Sequence, residues 1–170
     1  MGSRRLLARP SKEESVGDNK AMASKKLLRM DNVGIMVEDL EAAIAFFTAL
    51  GLELEGETTV EGQWVDDVVG LDGARSDIAL MRTPDGDCKL ELSKFHKPTL
   101  ISTEPNVPLN TQGLHRIMFT VEDIDEMVAR LENHGAKLIR KVVQYQNSYR
   151  LCYMRGPEGI IIGLAEKIHK

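Results

Sequence analysis

The residues of this chain able to do chemistry are few, and most of them have a plainer structural expectation. His134 stands just before Gly135 at the expected end of a helix, where a histidine stabilises the helix dipole. His169 lies near the C-terminus, and His96 follows an apolar strand signal, which makes it a candidate for the rim of a site. Cys152, between Arg150 and Arg155, reads as a packed thiol rather than a nucleophile. The chain has no glycine-rich phosphate loop, no serine-centred nucleophile elbow and no paired-cysteine zinc motif. The chemistry must therefore come from carboxylates, arginines and aromatic residues whose meaning depends on where the fold puts them.

Positioning follows from an internal repeat. Asn32-Val-Gly-Ile-Met-Val-Glu-Asp-Leu-Glu and Arg116-Ile-Met-Phe-Thr-Val-Glu-Asp-Ile-Asp align without a gap, and the register continues until Gly51 meets Gly135. Each copy opens with period-2 alternation, Val33/Ile35/Val37 and Ile117/Phe119/Val121, the signature of a strand with one buried face. The opposite faces carry Asn32, Gly34 and Met36 in one copy and Arg116, Met118 and Thr120 in the other. His115, next to Arg116, should point the other way unless the register slips.

Glu38-Asp39 and Glu122-Asp123 supply acidic caps to helices that run to Gly51 and Gly135. Strand signals follow at 52–57, 78–82 and 89–93, then at 137–143, 150–154 and 160–165. Pro84-Asp-Gly and Pro157-Glu-Gly form turns before the last strand of each copy. Residues 59–71 interrupt the first copy with Trp64, Val65, Val68 and Val69 at helical spacing. The expected fold is α+β, two tandem βαβββ modules whose mixed sheets curl into a cup. Module one covers 27–94, a connector 95–112 and module two 113–167, forming one domain.

Charge and composition narrow the partners. Residues 1–26 hold seven basic against three acidic side chains and read as a disordered basic leader or an added tail, whereas the remainder holds 15 against 23. An acidic body has no basic stripe to displace counterions from phosphates, so nucleic acid is not an expected partner. No apolar run reaches the ~18 to 20 residues of a membrane span. Two cysteines, Cys88 and Cys152, fit a reducing compartment, and the expected location is cytoplasmic.

The duplicated βαβββ unit, opening on a strand followed by V-E-D and closing on P-(D/E)-G before a last strand, resembles the vicinal oxygen chelate superfamily. That superfamily includes glyoxalase I, methylmalonyl-CoA epimerase, extradiol dioxygenases, fosfomycin-resistance enzymes and bleomycin-binding proteins. The resemblance implies a cup holding a small molecule, and in the enzymes a divalent metal bound by the first and last strands of each module. Carried onto this chain, the four ligand positions are Asn32, Glu91, Arg116 and Gly163. Only Glu91 is a normal ligand, since Asn is poor for zinc or iron, Gly has no side chain and Arg has no lone pair. A guanidinium also repels the metal: at ~4 Å and an effective dielectric of ~20, two unit charges interact by about 4 kcal/mol, and a divalent ion by twice that. The resemblance therefore implies a lost metal site and no cofactor, with Glu91 and His115 as the residual metal pair if the register slips.

Arg116 then puts a fixed cation where the family puts its metal, suited to a carboxylate, phosphate or enolate. An Arg116–Glu91 ion pair across the cup floor is the structural expectation for the two. The functional one makes Glu91 a general base and Arg116 an electrophilic stabiliser in proton-transfer, isomerase or lyase chemistry without metal. Asn32, Met36, Trp64, Met118, Tyr145, Tyr149 and Tyr153 are the candidate ligand-binding residues, with core or dimer packing as the alternative for the aromatic set. The competing functions are non-catalytic sequestration of a small molecule, as in the antibiotic-binding branch, and a metal enzyme with substituted ligands. The expected partners are a small molecule and, from the uncovered sheet edges, a second copy of the chain.

Overall fold

The structure is a computed structural model that describes residues 29–168. The basic leader 1–26 and His169 lie outside the described residues. The order of elements is β1 (Asn32–Met36), α1 (Leu40–Leu50), β2 (Glu53–Glu61), α2 (Gln63–Val69), β3 (Arg75–Arg82), β4 (Lys89–Lys97), β5 (Ile117–Val121), α3 (Ile124–Glu132), β6 (Lys137–Leu138), β7 (Val143–Tyr145), β8 (Tyr149–Arg155) and β9 (Ile161–Lys167). Among the described residues, no helix is long and apolar enough to cross a membrane.

The repeat governs the topology. One sheet has the order β1-β4-β3-β2 and the other β5-β9-β8-β6, with β7 also pairing to β8. In each, the first strand runs parallel to the last, which sets Gly34 beside Glu91 and Met118 beside Gly163. The alternation of β1 and β5 is realised: Val33, Ile35, Ile117 and Phe119 turn toward the core while Asn32, Met36, Met118 and Thr120 are exposed. Asp39 accepts a hydrogen bond from the Ala42 N–H at 3.0 Å and Asp123 from the Glu126 N–H at 2.9 Å, so both acidic caps form. Gly51, at φ 113°, closes α1 in the left-handed conformation. Helix α3 stops at Glu132, and Gly135 instead ends the turn after it.

A single apolar core spans both modules. Phe46, Phe47, Met81 and Leu92 from the first meet Ile124, Leu131, Met154, Ile162 and Leu164 from the second, all fully buried. Each such side chain contributes roughly 1.5–3 kcal/mol by leaving water. A Cβ on Gly156 would sit 2.8 Å from the Phe46 ring, so glycine is what lets the second module approach α1. Two residues on, the Glu158 carboxylate accepts from the N–H of Glu38 at 2.8 Å and of Asp39 at 2.8 Å, capping α1 from the other module.

Three expectations need correction. The strands of the first module are longer, and β4 reaches Lys97, so His96 belongs to a strand and not to the connector. β2 runs to Glu61 with every residue but Val60 exposed, leaving it no apolar alternation to read. The expected strand at 137–143 splits: Lys137 and Leu138 pair with Arg155 and Met154, whereas Val143 pairs with Leu151. The pairing register thus shifts by two residues across Ile139–Val142.

Candidate functional site

Arg116 stands immediately before β5, with Met118 two residues on; Gly163 of β9 lies beside Met118, and Tyr153 of β8 lies opposite Gly163. The missing side chain at Gly163 decides the geometry. A Cβ there would be 2.7 Å from Met118 Cε and 3.2 Å from the Tyr153 ring, so both side chains lie over the glycine. The Arg116 guanidinium then rests on the Tyr153 ring, 4.9 Å from its centroid. A cation–π contact of this kind is worth about 0.5–1 kcal/mol at an exposed site. Among the described residues no carboxylate pairs with Arg116.

The corresponding position of the first sheet is built differently. Asn32 donates through Nδ2 to Glu91 at 3.3 Å, and the Ser93 hydroxyl donates to the other Glu91 oxygen at 3.4 Å. The expected Arg116–Glu91 ion pair is therefore not formed. Glu91 is held within its own sheet by neighbours on β1 and β4, while Arg116 is held by the ring on β8. Met36 and Arg116 line one cavity of about 410 Å³, together with Gly34 of β1, His115, Glu158 and Gly159. His115 precedes the strand, so alternation does not fix its direction, and its Nε2 lies 3.4 Å from the Gln112 carbonyl.

The four family metal positions do not fit a metal. The Asn32 amide is turned toward Glu91 as a donor, Arg116 offers no lone pair, and the space over Gly163 is filled by Met118 and Tyr153. Among the described residues no group of three His, Cys, Asp or Glu side chains is placed to hold a metal ion, so His115 and Glu91 gain no third ligand.

The aromatic candidates separate. Tyr145 and Tyr149 face each other across the β7–β8 hairpin, and Tyr149, Leu151 and Tyr153 alternate onto one face of β8. Trp64 stands 61% exposed on α2, which packs against β2 at the edge of its sheet away from β1, and is not brought to Arg116 or Glu91.

Two features escaped the sequence reading. Thr59 donates to Asp77 Oδ1 at 2.7 Å and His96 Nε2 lies 2.7 Å from Asp77 Oδ2; these hydrogen bonds hold the Asp77 carboxyl below its usual range. Asp77 lines a wide cavity of about 990 Å³ together with Asp39, Glu41, Glu57 and Glu158. The three side chains come from three strands, and only the long β2 and β4 bring them together. The second feature is a cavity of about 340 Å³ beside the split strand, lined by Leu109, Ile139, Val143, Leu151 and Tyr153 with Arg140 and Lys141 in its wall. Its one sequence signal is the consecutive Arg140-Lys141 pair inside an apolar run.

Comparison with known proteins agrees with this architecture. A family model described as the Glyoxalase/Bleomycin resistance protein/Dioxygenase superfamily matches residues 31–153. A solved glyoxalase family protein from Bacillus cereus is 57% identical, with a TM-score of 0.84, covering 87% of this chain and 99% of that one. The uncharacterized protein YaeR of Escherichia coli is 28% identical over 142 residues, 83% of this chain and 98% of its own length. A glyoxalase I variant from Zea mays shares the fold at a TM-score of 0.58 and 19% identity, over 79% of this chain and 44% of that one.

Proposed function

The chain belongs to the glyoxalase/bleomycin resistance protein/dioxygenase superfamily, and from that premise we propose that it binds a small anionic molecule on the open face of its second sheet, with Arg116 as the anion contact. One observation carries this: an exposed guanidinium, free of any carboxylate among the described residues, is braced on Tyr153 over Gly163. A planar fork fixed in orientation by a ring loses little freedom on meeting a carboxylate or phosphate at two points. Binding of this kind needs no metal, in keeping with the chemistry of the four ligand positions.

Turnover is the second reading, and Glu91 favours it. Asn32 and Ser93 orient a half-buried carboxylate on the sheet opposite Arg116, as a general base for proton transfer would require. It operates only on a ligand that extends from Arg116 to Glu91, which does not line the cavity shared by Met36 and Arg116. Without that reach the protein sequesters its ligand. The open edges of both sheets further support a homodimer, and the two free thiols support a reducing, cytoplasmic setting.

A thermal-shift panel of carboxylates, phosphates, thioesters and aromatic antibiotics, with and without divalent metals, tests the reading, because a ligand that binds only the folded state raises its melting temperature. Anions should raise it in wild type and not in Arg116→Met, with or without metal. Shifts that demand a metal, or about one metal per purified chain that is lost in Glu91→Ala, would overturn the metal-free reading.

A further inference from the structure

The reading of Arg116 leaves open what kind of anion it takes, and the cavity beside the split strand narrows the choice. β6 and β7 pair with the same strand in registers two residues apart. The Ile139 N–H still donates to the Tyr153 carbonyl at 3.0 Å, in the register of β6, and pairing resumes only at Val143 with Leu151. Arg140, Lys141 and Val142 are thereby left without ladder partners on β8, with Val142 packed against the core. The space they leave is the 340 Å³ cavity, floored by Leu151 and Tyr153 and flanked by Ile139 and Val143.

Its remaining wall comes from the connector. Arg155 donates to the Pro105 carbonyl at 2.8 Å and to the Val107 carbonyl at 3.0 Å, tying the connector to β8 two residues before Leu109, which closes the cavity. Tyr153 belongs to both features: its ring lines the cavity and carries the Arg116 guanidinium. An apolar compartment and a cation thus meet at one side chain.

We infer that the ligand is a small carboxylic acid with an apolar body, its carboxylate on Arg116 and its hydrocarbon or aryl portion in the cavity between Leu109 and β8. A cavity with this lining favours an apolar occupant over water, and its size is within the usual range for small-molecule sites. The charge in its surroundings selects the sign. Arg140 and Lys141 are the charged residues of the wall, whereas the 990 Å³ cavity is lined by Glu38, Asp39, Glu41, Glu57, Asp77 and Glu158 against Lys94 alone, and repels an acid. This inference rests on Arg116 being the anion contact and adds the apolar half.

The probes are acetate, butyrate, hexanoate and octanoate, with 1-hexanol as the uncharged match to hexanoate, titrated into the full chain by nuclear magnetic resonance. Affinity should rise about fourfold per methylene until the cavity is full. Hexanoate should bind better than 1-hexanol, and Arg116→Met should erase that preference while keeping the dependence on chain length. Leu109→Trp, which fills the cavity from the connector, should erase the dependence on chain length, holding butyrate, hexanoate and octanoate near the affinity of acetate. In the wild-type protein, nuclear Overhauser contacts should join the terminal methyl of hexanoate to the methyls of Leu109, Ile139 and Val143, which keeps the test independent of whether a variant folds. Anion binding that ignores chain length would overturn this inference and spare Arg116. Equal binding of hexanoate and 1-hexanol would remove the anion contact itself, and binding of none of the probes would overturn the inference.

Discussion

Arg116 owes its setting to a residue without a side chain. A methyl group at Gly163 would press on Met118 Cε, a flexible end that can move aside, and on the Tyr153 ring at 3.2–3.3 Å, which can move only by carrying the guanidinium with it. Gly163→Ala is therefore expected to cost little stability, on the order of 1 kcal/mol, and to weaken anion binding more than it lowers the melting temperature. Paired calorimetric and thermal measurements check this; equal binding by the variant would detach Gly163 from the site. The two thiols differ in burial. Burial of Cys152 pushes its thiol up to about 11 from an ordinary 9.0, whereas Cys88 is only partly buried. An aromatic disulfide reagent at mildly alkaline pH should label Cys88 first. Because the folded value lies above the unfolded one, the contribution of Cys152 to stability is complete below about pH 9 and falls as pH rises toward 11, by at most about 3 kcal/mol. Urea melts across that window, compared with Cys152→Ala, measure it.

The elements show where sequence pattern suffices and where it stops. β1, α1, β5 and α3 follow from alternation, acidic caps and helical spacing, because each buries one face against the core. β2 follows only in part: the strand signal at 52–57 finds its start, but its extension to Glu61 is exposed on both faces and has no apolar period. The split of the expected strand at 137–143 was hidden for another reason: a register shift belongs to the pairing partner, and Arg140-Lys141 alone does not specify it. Parity within each sheet placed Asn32, Glu91 and Arg116 on open faces, but the angle between two sheets lies outside any strand pattern, and the Arg116–Glu91 pair failed there. The Pro157-Glu-Gly turn has a role beyond turning, since Glu158 caps α1 across the module boundary. Glu158→Ala should cost about 1–2 kcal/mol, similar to the loss of the Asp39 cap in Asp39→Ala, with Glu158→Gln in between. Denaturant unfolding reads all three, and a Glu158→Ala protein as stable as wild type would show that this contact does not join the modules.

Across the molecule, charge divides as the modules do. Residues 29–97 carry 6 basic and 15 acidic side chains, whereas residues 98–168 carry 8 of each, a division that would steer the proposed anionic ligand to the second sheet and away from the first. Both sheets leave strand edges open, and exposed apolar side chains such as Met36, Met118 and Tyr145 accompany them. Edges of that kind are commonly covered by a symmetric partner. Sedimentation at tens of micromolar should therefore give about twice the 18.9 kDa chain mass, and a species at the chain mass itself would rule out the proposed homodimer.

Whether Arg116 holds an anion through its planar fork is read by calorimetric titration of the anion giving the largest thermal shift into wild type, Arg116→Lys and Arg116→Met. An ammonium keeps the charge and loses the two-point contact, so Arg116→Lys should bind roughly ten- to a hundredfold more weakly, the equivalent of about 1.5–3 kcal/mol, and Arg116→Met more weakly still. Thermal melts of all three proteins should stay close together, since the side chain loses only its contact with Tyr153. Unchanged affinity in both variants, with a large loss of stability, would contradict the account and make Arg116 a brace for the sheet.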